Sequence, residues 1–214
     1  VTHWTILVRE TLTNFKNSLF LAKQLAVRDI KAQYRQSYLG IIWAFVTPIT
    51  TALVWIFLSG SGIINLTDTG IPYPVYAFVG ALIWAVLTES ITATMGTTSG
   101  ARSILSKINV PKEALVLLGF YKTLFNTAIK GLLLVVILLL YQIEWSWLML
   151  LFPLALFGVV LFGTTVGLFI TPLGLLYRDI GKIISVGLKF LMYATPVVYA
   201  IPKDGLSRYI MLYN

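Results

Sequence analysis

Two stretches of this chain, residues 36–67 and 145–177, contain no Asp, Glu, Lys or Arg. Each is longer than the roughly 20 mostly apolar residues with which an α-helix crosses a bilayer. A soluble core offers no place for uncharged runs of that length. Composition agrees: 58% of the 214 residues are hydrophobic and 11% are charged, against about 25% charged in a soluble domain. The surface of such a chain does not face water, and the sequence predicts an all-α integral membrane protein.

Five spans are expected, over residues 38–64, 74–98, 114–141, 147–176 and 180–201. The fourth is longer than a perpendicular helix needs, so tilt, extension past the bilayer or a break near Pro172 and Gly174 must absorb the excess. Lys and Arg set the orientation. Arg9, Lys16, Lys23, Arg28, Lys31 and Arg35 precede the first span; Arg102, Lys107 and Lys112 lie between spans two and three, and Arg178 and Lys182 between four and five. The first and third interhelical loops carry no basic residue. The excess of positive charge on alternate loops places the N-terminus in the cytoplasm. The net charge of +8 therefore belongs to lipid headgroups rather than to nucleic acid.

Residues 12–36 are not a span. Leu12, Phe15, Leu19, Ala22, Ala26 and Ile30 form an apolar stripe at helical spacing, and Lys16, Lys23, Lys31 and Arg35 fall largely off it. Such a helix lies in the membrane interface, apolar side in lipid. It serves either as a plain anchor or as a lever against a cytoplasmic partner.

With no cysteine and a single histidine, His3, neither a disulfide nor a Cys- or His-based metal site is expected, and the sequence points to no catalytic residue. Gly96–Gly100 and Gly163–Gly167 lack the lysine of a phosphate-binding loop and read instead as small-residue contacts between helices. Glu89, Lys122, Lys130 and Lys189 fall inside spans, where a charge costs about 2.5–3.5 kcal/mol at the bilayer centre and seeks a partner, a watery cavity or the interface. Lys122, Asn126 and Lys130 share a helix face. Counting residues from the span ends puts Glu89 level with Lys122 and predicts that these two interact, directly or through a water, either as a structural pair or in transport, leaving Lys130 without an acid at its depth and so a candidate for a cavity wall. Trp4, Tyr73, Tyr76, Trp145 and Trp147 near span ends suit interfacial anchoring. Phe45, Trp55, Trp84, Phe190 and Tyr193 lie mid-span, where they either pack against lipid and helices or line a conduit whose aromatic faces receive sugar rings.

The run from Arg28 to Gly40, RDIKAQYRQSYLG, continues to Trp43 and Pro48. It resembles the start of the first span in membrane subunits of type-2 ATP-binding-cassette (ABC) exporters, in particular those that export O-antigen, capsule and teichoic-acid polymers; the subgroup pattern R-D-x-K-x-x-Y-x-x-S-x-L-G-x-x-W is matched at every position. Ser106-Lys107-Ile108-Asn109-Val110-Pro111 resembles the family's cytoplasmic turn before the third span, with Val110 where an aromatic residue is common. Tyr177-Arg178-Asp179-Ile180, and then Thr195-Pro196-Val197-Val198-Tyr199, resemble the start and end of its fifth span. The resemblance covers nearly the whole chain, and it implies a sixth span beyond Asn214, with 202–214 as an outer segment of one permease domain, 1–214.

The resemblance further implies an exporter of the bacterial cytoplasmic membrane: two copies of this chain with two copies of an ATPase subunit that binds ATP and Mg, moving a polysaccharide or its lipid-linked form. The loop 99–113 would be the coupling helix, with Ile104, Leu105 and Ile108 as an apolar contact, Arg102 and Lys107 as its rim, and Arg28, Asp29, Lys31 and Arg35 beside it. Without the resemblance this loop reads as an ordinary basic loop. Export of a lipid or drug by the same architecture, an ion-coupled transporter using Glu89 and the lysines, and a membrane-embedded transferase are the alternatives. The last two are weakened by the lack of an inverted repeat and of an acid cluster in the loops.

Overall fold

The structure, a computed structural model, describes residues 2–35, 38, 40–61, 71–100, 111–177 and 179–197. Among these residues there is no strand. The helices are α1 (Thr2–Arg35), α2 (Trp43–Gly60), α3 (Tyr73–Gly100), α4 (Lys112–Leu140), α5 (Phe152–Leu176) and α6 (Ile180–Ala194). Three helical segments, Tyr73–Gly100, Glu113–Leu140 and Trp147–Leu176, are long and apolar enough to cross a membrane.

α1 starts at Thr2, well before the expected residue 12. Lys16, Lys23, Lys31 and Arg35 are exposed, as their place off the apolar stripe requires. The stripe itself divides. Ala22 and Ala26, expected to face lipid, are buried together with Ser18, and α4 is the long helix that α1 packs on. Small side chains four residues apart let the two backbones come close, while Phe20 and Val27 stay outside. The chain then turns through Gly40 at φ 51°, a left-handed conformation that costs other residues about 1–2 kcal/mol.

α3 is the hub: α2, α4, α5 and α6 all pack on it. Phe78, Leu82 and Val86 meet Leu134 of α4 and Leu156 and Val160 of α5 in the core. Lower on α3, Ser and Thr replace large apolar residues. Ser90 Oγ donates to Val86 O (2.6 Å), Thr94 to Ser90 O (3.0 Å) and Thr98 to Thr94 O (3.0 Å). Each hydroxyl is satisfied on its own helix and leaves a thin, weakly polar face. α5 uses that face. A Cβ at Gly163 would lie 2.5 Å from Ser90 Cβ, and one at Gly167 would lie 2.6 Å from Ile91 O. Gly163–Gly167 is thus a close-contact pair, as expected, whereas a Cβ at Gly96 or Gly100 meets nothing within 4 Å. α4 closes on α3 through Gly119, beside Ala93 and Thr94, and through Thr97 Oγ1, which lies 3.0 Å from Leu115 O.

Pro172 does not break the fourth span. The helix runs on to Leu176, and Trp147–Leu151 at its start tightens into a 3-10 turn. α4 ends in a Schellman turn: Ile143 N donates to Leu138 O (3.1 Å) and Gln142 N to Leu139 O (3.2 Å), with Gln142 at φ 50° in the place glycine usually takes. α6 ends at Ala194, earlier than the expected 201, because Pro196 follows. The chain there returns to α3, where the Val197 carbonyl fills the space a side chain at position 80 would need. Residues 198–201 lie outside the described residues.

If close approach of α3 and α5 holds the bundle, Gly167→Ala should lower the thermal midpoint in detergent, at a cost of about 1–3 kcal/mol. Gly158→Ala, where a Cβ meets nothing within 4 Å, should leave it unchanged or raise it slightly. Equal effects at the two positions would contradict this packing.

Candidate functional site

The third side of α3 faces neither α4 nor α5 but a cavity of about 750 Å³, within the range of about 300–1,000 Å³ typical of ligand sites. From α3, Trp84, Ala85, Thr88, Glu89 and Thr92 line it at helical spacing, with Phe78 and Leu82 above them. Asn126 and Lys130 come from α4, Trp43 and Pro48 from the start of α2, and Gln33 from the last turn of α1. Ser185, Leu188, Lys189, Met192 and Tyr193 make one face of α6 the opposite wall. Aromatic rings, hydroxyls, amides and charges thus share a space at the depth of the spans.

Glu89 is the organising acid. Its Oε1 accepts a hydrogen bond from Asn126 Nδ2, and its Oε2 accepts one from Lys130 Nζ. Both partners project from α4, and the Lys130 side chain is mostly buried. A direct Glu89–Lys122 ion pair, one form of the expected interaction, does not form. Lys122 Nζ lies 3.9 Å from Asp29 Oδ2 of α1, and Lys130, expected to lack an acid, is the residue that holds Glu89. The reason is side-chain direction. Contacts of Thr97 with Leu115 and of Gly119 with Ala93 and Thr94 make α3 and α4 antiparallel. Side chains lean toward the N-terminus of their own helix. Glu89 therefore leans along α4 toward Asn126 and Lys130, while Lys122 leans the other way. Counting Cα depth missed this opposed tilt.

Of the other residues singled out in the sequence, Trp84, Lys130 and Tyr193 stand on the cavity wall. Phe45 is half-buried on α2 and is not on the wall; Phe190, 71% exposed, points away from it. Trp55 lies on α2, its side chain outside the described residues. Arg28 and Asp29 form an ion pair of 2.8 Å near the end of α1, and Lys31 and Arg35 are exposed there. Arg102, Ile104, Leu105, Lys107 and Ile108 lie outside the described residues. The reading of single residues missed Gln33, Trp43, Thr88, Thr92 and Ser185, while Lys189, singled out as a charge inside a span, stands on the wall. A signal was present on α6: Ser185, Lys189 and Tyr193 recur every fourth residue on an otherwise apolar helix.

Removing one partner of a fully buried ion pair strands the other charge at a cost of about 3–5 kcal/mol, and less where, as here, the carboxylate keeps some exposure. Lys130→Met and Glu89→Gln should each destabilise the protein in detergent, and the double variant should lose less than the sum of the two. Additive losses would show that the two side chains do not interact.

A family model described as ABC-2 type transporter matches residues 21–214. An O-antigen export system permease protein RfbA of Myxococcus xanthus is 29% identical over 192 residues, covering 88% of this chain and 72% of that protein. A protein of the same description from Klebsiella pneumoniae is 26% identical over 202 residues, covering 87% of this chain and 72% of its own length. A second from Klebsiella pneumoniae is 23% identical with the same coverages, 87% and 72%. Matched over nearly its whole length, this multi-pass helical membrane protein belongs to the ABC-2 type transporter family.

Proposed function

We propose that this chain is the permease subunit of an exporter that moves a polysaccharide, free or lipid-linked, outward across the bacterial cytoplasmic membrane. Two copies would work with two copies of an ATPase subunit that binds ATP and Mg. The observation that carries this reading is the cavity at membrane depth, whose aromatic rings, hydroxyls and amides suit sugar C–H faces and sugar hydroxyls. The relatives' role in O-antigen export supports the same substrate class. α2 and α6 would complete five spans, with the N-terminus and α1 on the cytoplasmic side, as the distribution of Lys and Arg argues.

Work would enter through two cytoplasmic surfaces, residues 99–113 and the stretch of α1 from Arg28 to Arg35. α1 is well placed to transmit it. Asp29 faces Lys122 of α4, and Gln33, one turn on, is part of the cavity wall. A displacement of that last turn would reach the cavity and α4 together.

Leu105→Asp and Ile108→Asp should each abolish co-purification of the ATPase with a tagged permease and stop polymer export, while the permease still inserts in the membrane. Normal association and export in both variants would contradict coupling through this loop.

A further inference from the structure

The charges on the cavity wall do not balance. Among the described residues, Glu89, Lys130 and Lys189 are its ionisable carboxylate and ammonium groups. Glu89 uses both carboxylate oxygens on α4, one on Asn126 and one on Lys130, so the charge of Lys130 is cancelled where it stands. Lys189 has no ion-pair partner among the described residues. Two ammonium groups thus face one carboxylate, and the surplus charge sits on α6.

Lys189 also stands in the middle of its wall. Ser185, Leu188, Met192 and Tyr193 flank it on the same helix face. It lies nine residues after Ile180, the first residue of α6, about 14 Å along the helix axis. A lysine side chain leaning toward the helix N-terminus does not span that distance, so its ammonium stays at the depth of the cavity, on whose wall the exposed side chain stands. A cation on the wall of a cleft with apolar, low-dielectric sides has its field focused into the opening and draws an anion to it. Trp84 of α3 and Tyr193 of α6 add flat faces for sugar rings on the same wall.

We propose that the exported glycan is acidic, carrying carboxylate or phosphate groups along its chain, and that Lys189 selects for them. The inference rests on the export reading above. A neutral glycan would leave Lys189 without its counter-ion. An anionic group on a lipid carrier would satisfy it without any acidic sugar.

The test is binding to the full chain in lipid nanodiscs at low salt, with three probes: oligogalacturonate, a neutral malto-oligosaccharide of equal length, and a polyprenyl phosphate without sugar. The expected result is at least tenfold tighter binding of oligogalacturonate than of the neutral oligosaccharide. Lys189→Gln should remove that preference without weakening the neutral probe, Lys189→Arg should keep it, and Lys182→Gln, off the cavity wall on the same helix, should also keep it. Added salt should weaken the preference. Equal binding of the two glycans, or a preference that survives Lys189→Gln, would overturn the inference while leaving polysaccharide export standing. A Lys189-dependent affinity confined to polyprenyl phosphate would overturn it in favour of the lipid carrier. Binding of none of the three probes would overturn the export reading itself, and this inference with it.

Discussion

Helices in a bilayer gain little from hiding apolar surface from one another, since lipid is as apolar as leucine. They are held by close contact and by polar groups that find partners. In this protein that constraint centres on α3. Gly163 and Gly167 of α5 let it approach Ser90, Ile91 and Thr94, and Gly119 of α4 does the same beside Ala93 and Thr94. The Ser90 and Thr94 hydroxyls on this face bond back to α3 itself, so these two groups are not stranded in hydrocarbon. With α4 and α5 fixed against two sides of α3, its remaining side, on which α2 and α6 pack, keeps an open space between the helices. The cavity depends on those two close contacts.

Charge then gives this space its character. α4 presents Lys122, Asn126 and Lys130 along one face, and the face is shared. Lys122 goes to Asp29 of α1, while Asn126 and Lys130 go to Glu89 of α3. One helix therefore joins the N-terminal helix to the cavity wall through two ion pairs a few turns apart. α1 reaches the cavity a second time through Gln33. A shift of the last turn of α1 moves Gln33 on the cavity wall and pulls on Lys122 through Asp29.

Much of this was legible in the residues. Uncharged runs place α2 and α5 and exclude a soluble fold, and the lysines of α1 lie outside as their helical spacing requires. The Gly163–Gly167 contact and the polar character of α4 are likewise readable from spacing alone. What the spacing does not contain is direction. Glu89 was matched to Lys122 by counting along the helix axis, yet opposed side-chain tilts on antiparallel helices move the pairing by two turns, to Lys130. Ala22 and Ala26 look apolar enough for lipid, but their small size suits a helix contact better, and α4 takes them. Phe190 shares its hydrophobicity with residues of the wall, and its position on the far side of α6 separates it from Ser185, Lys189 and Tyr193. The end of α6 follows from Pro196, a local signal outweighed by the apolar run around it.

The central claim is that the space beside α3 is a watery passage for a polar polymer, not a lipid-filled crevice. The chain has no cysteine, so single cysteines can report on it one position at a time. The decisive measurement places them at Thr92 and Ser185 on the wall, and at Phe162 and Phe169 on the outer face of α5, where both are exposed. A membrane-impermeant thiol reagent is then added to sealed inside-out vesicles. The account predicts reaction at Thr92 and Ser185, slowed when glycan is present, and no reaction at Phe162 or Phe169. Protection of both wall positions, with labelling of the α5 face, would contradict it.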